Sequence, residues 1–252
     1  MQTKNSYWYF KSVLSKEFCQ KVIDLGVNTI ESNKKIGKDV EGKTFGDKQK
    51  SKDLNIPLNE LALNEAKEKI DVNKTYTRDS EIAWLNNDWI YDKILPMVRE
   101  ANESAEWKYD FDAWEEFQFT TYHAPGGFYG WHSDMASDHN AALKRYIHGV
   151  TPVPLRKDGS IPFGYTKNNK LVGKIRKLSV TVNLTSPESY DGGNLKFDFG
   201  KHIQGEQYHE AEIAREQGTV IVFPSYVNHC VTPVTRGTRY SLVLWCSGRP
   251  FK

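Results

Sequence analysis

The sequence predicts an α+β fold with a mainly β core: an antiparallel sandwich or barrel preceded by helices. Three observations carry that expectation. Between about Glu116 and the C-terminus, short runs rich in β-branched and aromatic residues recur between Gly, Pro, Asn and Asp turns: FQFTTYH, LSVTVNL, NLKFDF, TVIVFP and RYSLVLW. Upstream of Glu116, apolar residues instead recur at helical spacing. The 252 residues are within what one mixed or all-β domain fills, and seven Trp, thirteen Tyr and twelve Phe supply core area despite a hydrophobic fraction of 38%.

Taken in order, Phe18, Val22 and Leu25 give a helix over 15–30, with Ser15 as its N-cap. Residues 31–53 alternate charged residues, Gly and Asn, the composition of a solvated loop. From Ile56 to Ile70, Leu58, Leu61, Leu63 and Ala66 predict a second helix. Asp88 to Ser104 predicts a third, with Pro96 bending it or fixing its start. The expected organisation is a single domain, 1–252. Residues 1–115 form a helical support region, and 116–252 form a β core interrupted by an insertion at 140–177. That insertion holds nine Lys or Arg against the single acid Asp158. Connections of such length are commonly functional lids or linkers.

Composition excludes some function classes. Basic and acidic residues number 34 and 32, a net charge of +2, so no global field draws nucleic acid or an anionic membrane. The start, MQTKNSYWYF, lacks the charged and apolar regions of a signal peptide, and no run of about 18 apolar residues occurs. A cytoplasmic, non-membrane protein is expected. Cys19, Cys230 and Cys246 are odd in number and lack CxxC spacing, which points to reduced structural thiols.

The segment GFYGWHSDM places His132 and Asp134 two apart, so on an extended strand both side chains face the same way. Two histidines and one carboxylate on one face of an iron(II) ion leave open positions for chemistry, and an HxD pair supplies two of the three ligands. His229, after the strand TVIVFP, is the best candidate for the third. His139, His148, His202 and His209 read as exposed or locally hydrogen-bonded. Arg239 opens RYSLVLW; a guanidinium pointing into a sandwich needs an anionic partner, and its fork fits a carboxylate. A surface ion pair is the competing reading of that arginine.

Three ordered strings, QFTTYHAPGGFYGWHSDM, RKLSVTVNLTSPESYDGGNLKF and GTVIVFPSYVNHCVTPVTRGTRYSLVLW, resemble the core of iron(II)- and 2-oxoglutarate-dependent oxygenases. The prolyl 4-hydroxylase-like branch, with its PKHD-type hydroxylases, is the most similar, over about 118–247 with a weaker echo in RDSEIAWL. The resemblance implies a double-stranded β-helix (jelly roll) with N-terminal flanking helices. It implies iron ligation by His132, Asp134 and His229, and binding of the distal carboxylate of 2-oxoglutarate by Arg239. Tyr122 and Trp245 match aromatics of the cosubstrate pocket, and Asn183 matches a second contact to that carboxylate; for these three a core-filling role stands beside the binding role. The glycines of DGG (Asp191–Gly193) read as turn formers outside the site.

Cofactors implied are iron(II), 2-oxoglutarate and dioxygen, with ascorbate. The implied activity is hydroxylation of a C–H bond, on a protein or peptide in a prolyl 4-hydroxylase-type reaction. The basic insertion adds a ribosomal or other RNA-associated protein as a candidate partner. Two alternatives stay open: a non-catalytic metal-binding or interaction module, and an oxygenase acting on nucleic acid or a free small molecule. The oligomeric state is not legible in this sequence.

Overall fold

The first helix, α1 (Lys16–Lys35), begins where Ser15 accepts a hydrogen bond from the Phe18 amide, as its N-cap position requires. It runs five residues beyond the expected end. Lys34 pairs with Glu31 one turn back, and Lys34 and Lys35 favour the negative end of the helix dipole. α2 (Asp88–Ser104) matches its expected span, with Pro96 inside it and not at its start. The computed structural model describes residues 5–42, 44–46, 75–135, 142–155, 161, 164–200 and 208–251. The helix expected over Ile56–Ile70 lies outside them.

Two antiparallel sheets form the sandwich, with strands numbered along the chain. The main path of the larger runs β1 (Trp8–Phe10), β14 (Val220–Pro224), β10 (Ile175–Asn183), β16 (Val234–Gly248), β6 (Phe117–His123) and β4 (Glu81–Leu85); β5 (Ala113–Trp114) and β11 (Tyr190–Gly192) also pair with β16. The smaller runs β13 (Tyr208–Glu210), β12 (Leu195–Asp198), β15 (Asn228–Val231), β7 (Phe128–His132), β3 (Thr75–Asp79) and β2 (Thr44–Gly46). This is the expected jelly roll with helices flanking it.

The N-terminal region is more than helical support, because β1 to β5 all fall within it and join both sheets. Strands of two to five residues have too few alternations to register as a pattern in sequence. The insertion is also shorter than expected. β10 already begins at Ile175, where Ile175 and Arg176 pair with Gly248 and Ser247 ahead of a bulge that breaks the alternation before Leu178. Within the insertion, β8 (Lys144–Arg145) and β9 (Tyr165–Thr166) form a small parallel pair.

Strand alternation assigns each side chain of the larger sheet to one of two environments. Phe117, Phe119, Val180, Val182, Leu242 and Leu244 face the helices, in one core with Cys19 and Val22 of α1 and Ile90, Ile94 and Val98 of α2. Gln118, Tyr122, Ser179, Thr181, Arg239 and Trp245 have the opposite parity. Between the sheets the apolar clusters are small, Leu195, Phe197, Ile221 and Phe223 in one and Tyr122, Val231 and Val234 in another. The polar space left beside them is the candidate site. The three cysteines are buried and free, and burial pushes their thiols up to about 11 for Cys19 and about 12 for Cys230 and Cys246. That agrees with structural thiols. No helix among the described residues is long and apolar enough to cross a membrane.

Candidate metal centre

His132 is the last residue of β7, and His229 lies opposite it in register on β15. The strand ends before Asp134, so the expected extended HxD geometry is replaced by a turn. Ser133 Oγ and the Met135 amide both donate to the Ser225 carbonyl, and this folds Asp134 back towards the histidines. Asp134 Oδ1 lies 3.7 Å from His132 Nε2, and Oδ2 lies 3.7 Å from His229 Nε2. One ligand atom from each residue falls within 4.8 Å of the others, and among the described residues this is the only such cluster of three.

Both imidazoles are oriented by the same device. His132 Nδ1 donates to the Gly130 carbonyl (2.8 Å) and His229 Nδ1 to the Val227 carbonyl (3.0 Å), each two residues back along the chain. The Nδ1 tautomer leaves both Nε2 lone pairs free for a metal. Tyr129 stacks on the His132 ring at 3.6 Å between centroids and restrains its tilt. Burial, then the neighbouring His229, pushes the His132 pKa down to about 3, which keeps the imidazole neutral. Burial opposes ionisation of Asp134, but its coupling to His229 and His132, the Arg176 charge and the Ser179 hydroxyl outweigh it and hold the carboxyl below its usual range. Two neutral imidazoles and one carboxylate are the donor set that suits iron(II) with positions left open. The residues fit the metal that the sequence implied.

Arg239 is 2% exposed, and its Nε and Nη1 have no hydrogen-bond partner among the described residues. It lines the same cavity as the three ligands, with its guanidinium carbon 5.6 Å from the centre of the Tyr122 ring. A surface ion pair is therefore excluded. A buried cation with unused donors fits an anion, and a fork of donors fits a carboxylate. Tyr122, Arg239's register partner on β6, and Trp245, six residues further along β16 on the same face, also line the cavity.

Asn183 does not line it. Its amide nitrogen donates to the Thr185 and Arg215 carbonyls at 2.9 and 2.7 Å, at the far end of β10, so it serves the turn that follows the strand. Of the remaining histidines, His209 meets the Tyr7 hydroxyl and His148 is exposed, as expected, while His123 binds Thr238 and Glu81. His139 and His202 lie outside the described residues.

Several residues at the site carry no signal in the sequence. Gly193 was read only as a turn former, yet a Cβ there would sit 2.8 Å from Arg239 Cδ; glycine gives the arginine its path as well as the turn its φ of +62°. Arg176 forms a bidentate ion pair with Glu115 (2.6 and 2.7 Å) and lies 3.9 Å over the Trp245 ring. Arg78 donates to Ser80 and Gln118 at 2.8 Å and stacks on Tyr129 at 4.6 Å. Asp134, Arg78 and Trp245 also border a groove of about 520 Å³ whose other walls include Trp84 and, from the insertion, Leu143, Tyr165 and Leu171.

Residues 117–247, just over half of the chain, match the 2OG-Fe(II) oxygenase superfamily. A 70-residue segment is 41% identical to PKHD-type hydroxylases YbiX of Escherichia coli O1:K1 / APEC and Shigella dysenteriae serotype 1, a match that spans 27% of this chain and 27% of each relative. Among solved structures, a Pseudomonas putida prolyl-4-hydroxylase superposes with a TM-score of 0.53 at 16% identity, covering 98% of this chain and 94% of that one. The viral collagen prolyl hydroxylase of Paramecium Bursaria Chlorella virus-1 gives 0.52 at 17% identity, with 97% of each chain covered. At these identities the two structures share the fold.

Proposed function

Because this chain belongs to the 2OG-Fe(II) oxygenase superfamily, we propose that it hydroxylates a C–H bond of a protein or peptide in a prolyl 4-hydroxylase-type reaction. The observation that carries the oxygenase reading is the unpaired, buried Arg239 facing the same cavity as His132, Asp134 and His229. A non-catalytic module gains nothing from burying an unsatisfied guanidinium beside an open metal site.

In this reading His132 Nε2, His229 Nε2 and Asp134 hold iron(II), and Arg239 takes the distal carboxylate of 2-oxoglutarate. Together with dioxygen, the bound metal and cosubstrate supply the oxidising power for inserting an oxygen atom into an unactivated C–H bond. The chain's own work is placement. The backbone carbonyls of Gly130 and Val227 hold the imidazoles as Nδ1 tautomers. The Tyr122 and Trp245 rings wall the cosubstrate space and exclude water from it. Retention of a carboxylate at Asp134 favours hydroxylation over halogenation, since a halide would need that ligand's position.

A groove of about 520 Å³, walled in part by the insertion, lies beside the metal centre and gives a substrate room to reach it. Two solved structures of the same fold are named prolyl hydroxylases. The test treats intact candidate proteins with enzyme, iron(II), 2-oxoglutarate and ascorbate, and searches for the mass of one added oxygen atom and the residue that carries it. No such product on any protein would sink the reading.

An RNA-associated target has its own support. Lys144, Arg145, Lys167 and Lys170 are exposed on the insertion that walls the groove. Steeply salt-dependent binding of RNA would favour it, and salt-independent behaviour would remove it.

A further inference from the structure

Asp134 presents two carboxylate oxygens, and the protein treats them differently. Each oxygen lies 3.7 Å from one histidine Nε2, Oδ1 from His132 and Oδ2 from His229, but only Oδ2 also accepts a hydrogen bond from Ser179 Oγ, at 2.6 Å. Ser179 and Ser225 are both fully buried, with their hydroxyl oxygens 3.0 Å apart. A hydroxyl carries one proton, and an ionised carboxylate only accepts. Ser179 therefore gives its proton to Asp134, and Ser225 gives its own to Ser179. The relay ends on a clamped backbone: the Ser225 amide donates to the Lys177 carbonyl at 3.0 Å, and the Ser225 carbonyl accepts from Met135 N and Ser133 Oγ. The same residue that fixes the turn carrying Asp134 thus also orients its carboxylate.

We propose that Ser179, backed by Ser225, is a positioning pair that commits Asp134 to one-oxygen metal ligation through Oδ1. The proposal rests on the iron-oxygenase reading of the site. A carboxylate free to rotate can ligate through both oxygens and take up a coordination position that cosubstrate or dioxygen needs. With one Oδ2 lone pair engaged and its rotation fixed, that position stays open. Partners that orient a ligand in this way typically change metal affinity about 10–100-fold when removed.

The test is an anaerobic titration of Co(II), and separately Fe(II), into the full chain, reading the dissociation constant by competition and the coordination number from the Co(II) visible spectrum. Ser179→Ala is expected to bind about 10–100-fold more weakly, with a spectrum shifted towards higher coordination. Ser179→Thr, which keeps the hydroxyl, is expected to match wild type in both. Ser225→Ala is expected to show a smaller loss, and the double alanine variant no more than Ser179→Ala, because Ser225 acts through Ser179. If Ser179→Ala does not fold, the contrast between Ser225→Ala and Ser179→Thr decides. Wild-type affinity and spectrum in Ser179→Ala, or in Ser225→Ala where that contrast decides, would overturn the proposal alone. So would a folded Ser179→Thr as impaired as the alanine variants. A wild-type chain that binds neither metal would overturn the oxygenase reading and this proposal with it.

Discussion

His132 and His229 are register partners across the antiparallel pair β7 and β15, and each turns its Nδ1 to a carbonyl two residues back. The pairing of two strands thus builds two-thirds of the metal site, and Asp134 completes it from the adjoining turn. Removing any one ligand should therefore abolish a defined complex. Asp134→Ala and His229→Ala are expected to lose the weak visible band that iron(II) and 2-oxoglutarate give anaerobically, and Asp134→Ala to lose hydroxylation. Full product formation by Asp134→Ala would contradict the assignment.

Arg239 sits buried with unused donors, so its charge disfavours the cosubstrate-free fold and favours the loaded one. Arg239→Met is expected to be no less stable than wild type without 2-oxoglutarate, since a well-packed apolar side chain often replaces a buried charge at no net loss. It should nevertheless bind 2-oxoglutarate about 10²-fold more weakly or worse, as losing a buried charge-assisted contact costs about 2–5 kcal/mol. Thermal unfolding with Co(II), with and without 2-oxoglutarate, separates the two effects. A cosubstrate-induced rise in Tm that survives in Arg239→Met would count against the role of this arginine.

Gly193 gives a more selective handle on the same contact. An alanine there is strained at φ +62° and presses on Arg239 Cδ. Gly193→Ala is expected to raise the KM for 2-oxoglutarate while leaving the Co(II) dissociation constant within about twofold, because none of the three ligands is among the atoms an added Cβ would meet. An equal loss in both would show that the substitution disturbs the sandwich as a whole.

Acid should weaken the metal-free fold from a higher pH than carboxylates alone would cause. The His132 pKa falls from 6.5 to about 3 on folding, so between those values the unfolded chain holds a proton that the native chain does not. Stability is then lost as pH falls through that window. The lowered Asp134 pKa, about 2 against 3.8, adds a loss of the same sign below pH 3.8. Urea midpoints of the metal-free chain should fall from pH 7 to pH 5, and the slope should flatten in His132→Asn. A midpoint that rises on acidification would reject the assignment.

Packing of the helices on the larger sheet can be probed at Gly26. A methyl group at this position in α1 would overlap the Phe119 ring, which is fully buried on β6. Gly26→Ala should therefore destabilise by about 1–3 kcal/mol despite the better helix propensity of alanine. A raised Tm would mean that the helix shifts away from the sheet at little cost.

The chemistry of the site was legible in the sequence through the HxD pair of His132 and Asp134 and through the resemblance of three ordered strings, which singled out His229 and Arg239. Long periodic elements were legible for a local reason. Ser15, Phe18 and Val22 announced α1, and the β-branched and aromatic run RYSLVLW announced β16. What the sequence could not carry were relationships whose partners lie far apart and have no pattern of their own. For Asn183 the resemblance left a pocket role and a structural role open; it shares the parity of the site's face, but its position at the end of β10 bonds it to the Arg215 carbonyl. Gly193 beside Arg239, Glu115 under Arg176, and the Ser225–Ser179–Asp134 relay depend on which strand lies next to which, and at what register. Local spacing and side-chain chemistry thus pointed to the metal ligands and the fold class, and the family resemblance implied the cosubstrate. Only the closure of two sheets decided how each ligand is held, since hydrogen bonds and packing act over a few ångströms of space irrespective of distance along the chain.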